Sequence, residues 1–230
     1  MGGDDILRPL FEMGRWGFFI TIEGIEGSGK STLAKGLKHY VENLGLKVIF
    51  TREPGGSSVG EKIREILLSK EDSMDSMTEV FLFLAARREN VVKNILPALQ
   101  KGMVVIADRY IDSTLAYQGY GRGLPIKILR RLNKIATKRI YPNLTFLIDI
   151  PPGKGLKRKN ENDFDRIEKE NLDFHKRVRE GYLRLARIAK KRIYVIDGTR
   201  DPEEILNEAK QVLYKKLVEK KKIKPKRGEK

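Results

Sequence analysis

The stretch that decides the reading runs from Glu23 to Thr32, EGIEGSGKST. It follows the apolar run FFITI (18–22), and Leu33, Leu37, Val41 and Leu44 after it fall at helical spacing. Gly24-Ile25-Glu26-Gly27-Ser28-Gly29-Lys30-Ser31 fits the pattern G-x-x-x-x-G-K-S/T placed between a strand and a helix. The glycines let the backbone curl so that successive N–H groups point inward at phosphate oxygens. The helix opening near Gly29 adds its positive dipole end. Lys30 is expected between the β- and γ-phosphates of a bound nucleotide, and the Ser31 hydroxyl on Mg²⁺. A glycine-rich turn that binds nothing is the bland alternative. The strand before the loop and the helix after it argue instead for a nucleoside triphosphate held by the loop up to Thr32.

Working outward, the same alternation recurs. KVIFT (47–51), MVVIA (103–107), LTFLI (144–148) and RIYVI (192–196) read as further strands, apolar throughout as strands covered on both faces are. Helical patterns separate them over 78–100, 126–140 and 167–191, and Asp201 and Pro202 open a last helix as N-cap and first residue. Such alternation predicts an α/β fold, a five-stranded parallel sheet between helix layers, with ligands at the carboxyl ends of the strands. Residues 1–16 read as a leader outside the fold, with Met13 an alternative start. Residues 17–214 read as the domain, with a charged surface insert at about 153–168, and 215–230 as a basic tail.

Composition removes several classes. With no cysteine there is no disulfide, thiolate zinc site or thiol nucleophile, and two histidines make a His-rich metal centre a poor reading. No apolar run reaches membrane-spanning length and no signal-peptide core precedes the fold, so the cytoplasm is the expected location. The net charge is +16, and from residue 209 onward ten Lys or Arg against two Glu supply half of it. Such an end is read as a solvated tail before it is read as a nucleic-acid arm.

The other strand ends show what receives the phosphate. Asp108-Arg109-Tyr110 follows MVVIA, where Asp108 can hold Mg²⁺ and Arg109 can fork onto an acceptor phosphate. Arg52-Glu53-Pro54-Gly55-Gly56 brings a second charged pair to the same crevice, although a Pro-Gly turn alone also accounts for it. No Asn-Lys-x-Asp base-reading motif follows a strand, which disfavours a regulatory GTPase, so a small-molecule kinase remains.

Taken together, IEGIEGSGKST, TREPGGSSVGEKIR, FLFLAARRENV, DRYIDSTLAYQGYGRGL and DRIEKENLDFHKRVREGYLRLA make the chain resemble bacterial and archaeal thymidylate kinase from about Phe18 to Leu213. The resemblance implies a three-layer P-loop fold with a lid, transfer from ATP to dTMP with Mg²⁺, and a homodimer. It implies that Phe83 stacks on thymine, Arg87 donates to the base O4, and Arg64 and Arg109 clamp the monophosphate. It implies that Thr114 and Gln118 contact the base and that Tyr117 crowds the sugar 2′ position. Glu26 is implied near the sugar and the reacting phosphate, and Glu53 near the acceptor. Some relatives carry a basic residue within the phosphate loop where this chain has Gly27, so the lid is expected to supply that charge. Ahead of DRIE, where relatives have arginines, this chain has Asn160, Glu161, Asn162 and Asp163, which leaves Arg158 and Arg166 as stand-ins. The alternatives are a kinase of the same fold acting on UMP, dUMP or a deoxynucleoside, and, from a different class, an NTP-dependent nucleic-acid binder using the basic tail.

Overall fold

In the computed structural model, five parallel strands lie in the order β2-β3-β1-β4-β5. They are β1 (Phe18–Glu23), β2 (Val48–Arg52), β3 (Val104–Asp108), β4 (Leu144–Asp149) and β5 (Ile193–Asp197). Each begins within one residue of its expected start and runs one residue past its expected end. The structure describes residues 16–70, 73–158, 160, 162 and 164–223. The leader expected over 1–16 therefore lies outside the described residues except for Trp16, and so does the tail from 224 on.

Burial follows strand position. β1, β3 and β4 are central and almost wholly buried, whereas the edge strands expose Phe50, Tyr194 and Val195. The expectation of double cover holds only for the three inner strands, because an edge strand has no further β-neighbour and its flanking helix covers it incompletely. One face carries α1 (Lys30–Asn43) and α9 (Pro202–Glu219), whose Leu33, Leu37, Val41, Leu213 and Leu217 close on Phe18, Ile20 and Phe146. The packed chain thus continues beyond 214: α9 buries Leu217 completely, and Lys222 Nζ donates to the Trp16 carbonyl oxygen.

The other face carries the remaining helices. α2 (Ser58–Leu68), which the sequence reading passed over, is capped by Ser57 Oγ accepting from Gly60 N at 2.9 Å. α3 (Ser76–Asn90) widens into a π-helical turn over Val91–Ile95 before α4 (Leu96–Gln100). Pro97 gives the reason: it has no N–H to donate, and its ring crowds the carbonyl one turn back. α5 (Ile111–Thr114) likewise runs on as a π-helical turn, Leu115–Gly121.

Two helices are shorter than predicted. α6 (Ile126–Ala136) stops before residue 140 because Lys138 and Arg139 take left-handed backbone, φ 51° and 59°. α8 (Leu172–Ile188) does not begin at 167, because Asp165 Oδ1 accepts from Ile167 N and Glu168 N, each at 2.9 Å, and closes that segment as a separate turn. Asn171 Oδ1 then caps α8 by accepting from Phe174 N at 2.8 Å. A short α7 (Pro152–Leu156) occupies the start of the expected lid.

Candidate active site

The loop between β1 and α1 is held in shape by close backbone approaches. Gly24, at φ 145°, leaves no room for a Cβ between the Ile148 carbonyl oxygen (2.6 Å) and Ser28 Oγ (2.8 Å). Gly27, at φ 66°, would drive a Cβ into the Gly155 carbonyl oxygen of α7 at 1.9 Å. A side chain at 27, basic or otherwise, is therefore excluded by the packing of α7 on the loop. Lys30 Nζ donates to the Ile25 carbonyl oxygen at 2.7 Å. Burial, with the charge of Arg109, pushes the Lys30 ammonium down to about 8, which leaves it mostly protonated at neutral pH, and an anion set beside it would favour that charged form further. Ser31 Oγ donates to Asp108 Oδ2 at 2.9 Å, which joins the loop to the end of β3.

Two cavities flank this loop. The first, of about 400 Å³, is lined by Gly27, Ser28, Gly29 and Thr32 on one side and by Ile148, Arg158, Gly198 and Arg200 on the other. The expected stand-in Arg158 belongs here. Its Nη1 donates to the Gly27 carbonyl oxygen at 3.2 Å and its Nη2 to the Gly198 carbonyl oxygen at 3.3 Å.

The second cavity, of about 130 Å³, gathers every residue expected at the acceptor: the charged Glu53, Arg64, Arg87 and Arg109, the aromatic Phe83 and Tyr117, and the polar Thr114 and Gln118. Glu26 lines it too, so the phosphate loop forms a wall of both cavities. Arg109 sits at that junction with left-handed backbone, φ 71°, a strain of about 1–2 kcal/mol. Its Nη1 donates to the Gly24 carbonyl oxygen at 2.9 Å and its Nη2 to Glu26 Oε1 at 2.8 Å. Tyr117 Oη donates to the same Oε1 at 2.6 Å. Burial pulls the Glu26 carboxyl upward, but Arg109, Lys30 and the Tyr117 hydroxyl outweigh it and hold the group below the ordinary carboxylate range.

Arg87 is more committed than the sequence suggested. It donates to Glu53 Oε2 (2.6 Å), Thr114 Oγ1 (2.7 Å), Asn133 Oδ1 (2.5 Å) and the Tyr110 carbonyl oxygen (2.9 Å). Only one N–H of its guanidinium is left to turn toward a ligand. Arg166 is not brought to the phosphate loop. Its Nε donates to the Leu67 carbonyl oxygen at 3.2 Å, and its Nη2 lies 2.6 Å from Glu79 Oε2, a charge contact without hydrogen-bond alignment. Arg166 thereby fastens the 165–168 turn over the acceptor cavity, which Asp165, Ile167 and Glu168 help to line. Of the expected lid, residues 159, 161 and 163 lie outside the described residues.

Two buried carboxylates beside these cavities have no role in the sequence reading. Glu23 accepts from Tyr110 N (2.8 Å), Ser113 Oγ (2.6 Å) and Tyr182 Oη (3.0 Å) beneath Arg109. Burial, with the nearby Asp112, raises its carboxyl to about 7. Glu79 is buried against Gln118, Arg122 and Arg166. The one sequence signal for Glu23 was its position as the last residue of a strand that feeds a phosphate loop.

The phosphate loop thus borders two cavities, one of them lined by arginines. The family model described as thymidylate kinase matches residues 22–209. The chain belongs to the thymidylate kinase family. It is 50% identical over 198 residues to the thymidylate kinase of Carboxydothermus hydrogenoformans, covering 86% of this chain and 97% of that one. It is 50% identical over 190 residues to that of Sulfurihydrogenibium sp., covering 82% and 93%. The crystal structure of the Ehrlichia chaffeensis thymidylate kinase superposes with a TM-score of 0.71 at 37% identity, over 86% of this chain and 99% of that one. The five-stranded parallel sheet agrees with that thymidylate kinase match. Among the described residues, no helix is long and apolar enough to cross a membrane, and no group of three or more His, Cys, Asp or Glu is placed to hold a metal ion.

Proposed function

We propose that this thymidylate kinase family member transfers the γ-phosphoryl group of ATP to dTMP, giving ADP and dTDP for dTTP synthesis. The observation that carries the reading is the junction at Glu26 and Gly27, where the phosphate-loop cavity and the arginine-lined cavity share one wall. ATP takes the first cavity, its phosphates in the loop from Gly24 to Thr32. dTMP takes the second, its phosphate on Arg109 and Arg64, its base against Phe83 and within reach of Arg87, Thr114 and Gln118. Tyr117, held by Glu26 and faced by the Arg109 guanidinium at 4.9 Å from its ring centre, narrows the space at the sugar in favour of deoxyribose.

The reaction needs positioning and charge more than covalent chemistry. An acceptor phosphate is already ionised at neutral pH, its second pKa being about 6, so no general base is required. An acceptor oxygen attacks the γ-phosphorus in line while ADP departs. Lys30, Arg109 and Arg158 stand where negative charge spreads over the transferring group. The Ser31 hydroxyl and the Asp108 carboxylate are hard oxygen donors 2.9 Å apart at the mouth of the loop, a pair suited to Mg²⁺ and its waters. When bound there, Mg²⁺ neutralises phosphate charge.

Exposed apolar side chains on neighbouring helices, Ile66 of α2, Phe81 of α3 and Ile128 and Ile135 of α6, support a homodimer. The reading assigns the enzyme to the compartment that holds the nucleotide pools, the cytoplasm. A coupled assay of ADP release with dTMP, dUMP, UMP, CMP, GMP and thymidine tests it. Turnover is expected with dTMP above all others, and equal or faster turnover with UMP or thymidine contradicts the reading.

A further inference from the structure

His175, on α8, has no exposed surface, and neither of its ring nitrogens has a hydrogen-bond partner among the described residues. Glu26 Oε2 is buried and equally without a partner among them. The two face each other, with His175 Nδ1 at 3.7 Å from Oε2. Buried polar atoms are seldom left unmade, and two such groups aimed at one another just beyond bonding distance call for a reason.

The reason lies on the other side of the carboxylate. Glu26 Oε1 takes Arg109 Nη2 at 2.8 Å and Tyr117 Oη at 2.6 Å. Arg109 also lines the acceptor cavity, and a dianionic phosphate there competes for the same guanidinium edge. If Arg109 turns to the phosphate, a carboxylate with only 9% of its side chain exposed loses its nearest cation. Tyr117 and the charge of Lys30 would remain, but a buried carboxylate that gives up its ion-pair partner is costly, and that cost would come off the affinity for the acceptor.

We propose that His175 is a positioning residue that receives the Glu26 carboxylate when the acceptor phosphate draws Arg109 away, an Nδ1–H closing the gap to Oε2. The exchange rests on the dTMP reading above. It offsets part of the cost of releasing Arg109, so the arginine is stored on Glu26 in the free enzyme without being trapped there.

The chain has two histidines, His39 and His175, and His39 is exposed on α1, so ¹⁵N spectra of the imidazoles read the exchange in the unaltered protein with an internal control. Saturating dTMP is expected to move the His175 ring signals and leave His39 in place, whereas thymidine, which lacks the phosphate, leaves both unmoved. Binding of dTMP seen by calorimetry without the His175 shift, or an equal shift with thymidine, overturns the exchange alone. Absence of dTMP binding overturns the exchange together with the substrate reading. In kinetics, His175→Phe should raise KM for dTMP about tenfold through the lost hydrogen bond and leave KM for ATP unchanged. His175→Gln, which keeps an N–H donor, should recover most of that loss. Equal losses in both variants, or for both substrates, would mean that the ring acts through packing and would overturn the proposal.

Discussion

Glu53 and Arg87 are ion-paired at 2.6 Å with side chains 2% and 1% exposed, beneath the acceptor cavity that both help to line. Burial raises the Glu53 carboxyl above its ordinary range, with Arg87 first and the Asn90 amide second pulling against that rise. Glu53→Ala strands the Arg87 charge, and unfolding in urea should show a loss of about 3–5 kcal/mol. The double variant Glu53→Ala/Arg87→Met should be more stable than the sum of the single changes, because it removes the stranded charge. Additive losses would show that the pair is not coupled.

The two arginines expected in the lid should separate by phenotype. Arg158 bonds to the phosphate loop itself, and Arg158→Ala should lower kcat by about tenfold or more, the scale of a lost transition-state cation. Arg166 contacts Glu79 instead, so Arg166→Ala should cost about 1–2 kcal/mol of stability and raise KM for dTMP more than it lowers kcat. Steady-state kinetics with thermal melts of both variants decides the matter. The reverse pattern would return the catalytic cation to residue 166.

Glu23 gives the protein a pH-dependent weakness. Burial, with Asp112, raises its carboxyl from the ordinary 4.5 to about 7 in the folded chain. Between those values the unfolded chain has lost this proton and the folded chain keeps it, so stability falls as pH rises through the window. Glu23→Gln cannot ionise. Relative to the parent, its stability should improve between pH 4.5 and 7 by on the order of 3 kcal/mol, read from urea midpoints across pH. A constant difference between the two proteins would remove Glu23 as the cause.

The apolar side chains left on α2, α3 and α6 should be an interface. Phe81 is 56% and Ile135 71% exposed, large values for apolar residues on adjacent helices. In sedimentation, the parent should run as a dimer and the variant Phe81→Glu/Ile135→Glu as a monomer. A monomeric parent would refute the interface.

The sheet and the phosphate loop were legible because both are local: five apolar runs, and a glycine pattern placed between a strand and a helix. What escaped depends on distant partners. α2 was passed over because the apolar side chains it turns inward, Leu67 and Leu68, sit side by side at its end and make no helical stripe. The start of α8 was misplaced because the Asp165 carboxylate, not helical periodicity, governs residues 165–168. The residues that line the arginine-bearing cavity were singled out through whole motifs, whereas the buried contacts of Glu23, Glu79, Asn133 and His175 join elements far apart in the chain and leave no spacing to read. Arg166 was placed at the reacting phosphate from its position in the sequence. Glu79, on a different helix, is what holds it elsewhere.

The central claim is that one phosphate loop serves two cavities closely enough for a phosphorus to pass between them. A crystal structure with a non-hydrolysable ATP analogue and dTMP measures this directly. The account predicts the analogue's phosphates within Gly24–Thr32, the dTMP phosphate on Arg109 and Arg64, and an acceptor oxygen in line with the γ-phosphorus. A dTMP phosphate found away from Arg109, or separated from the γ-phosphate by protein, would contradict it.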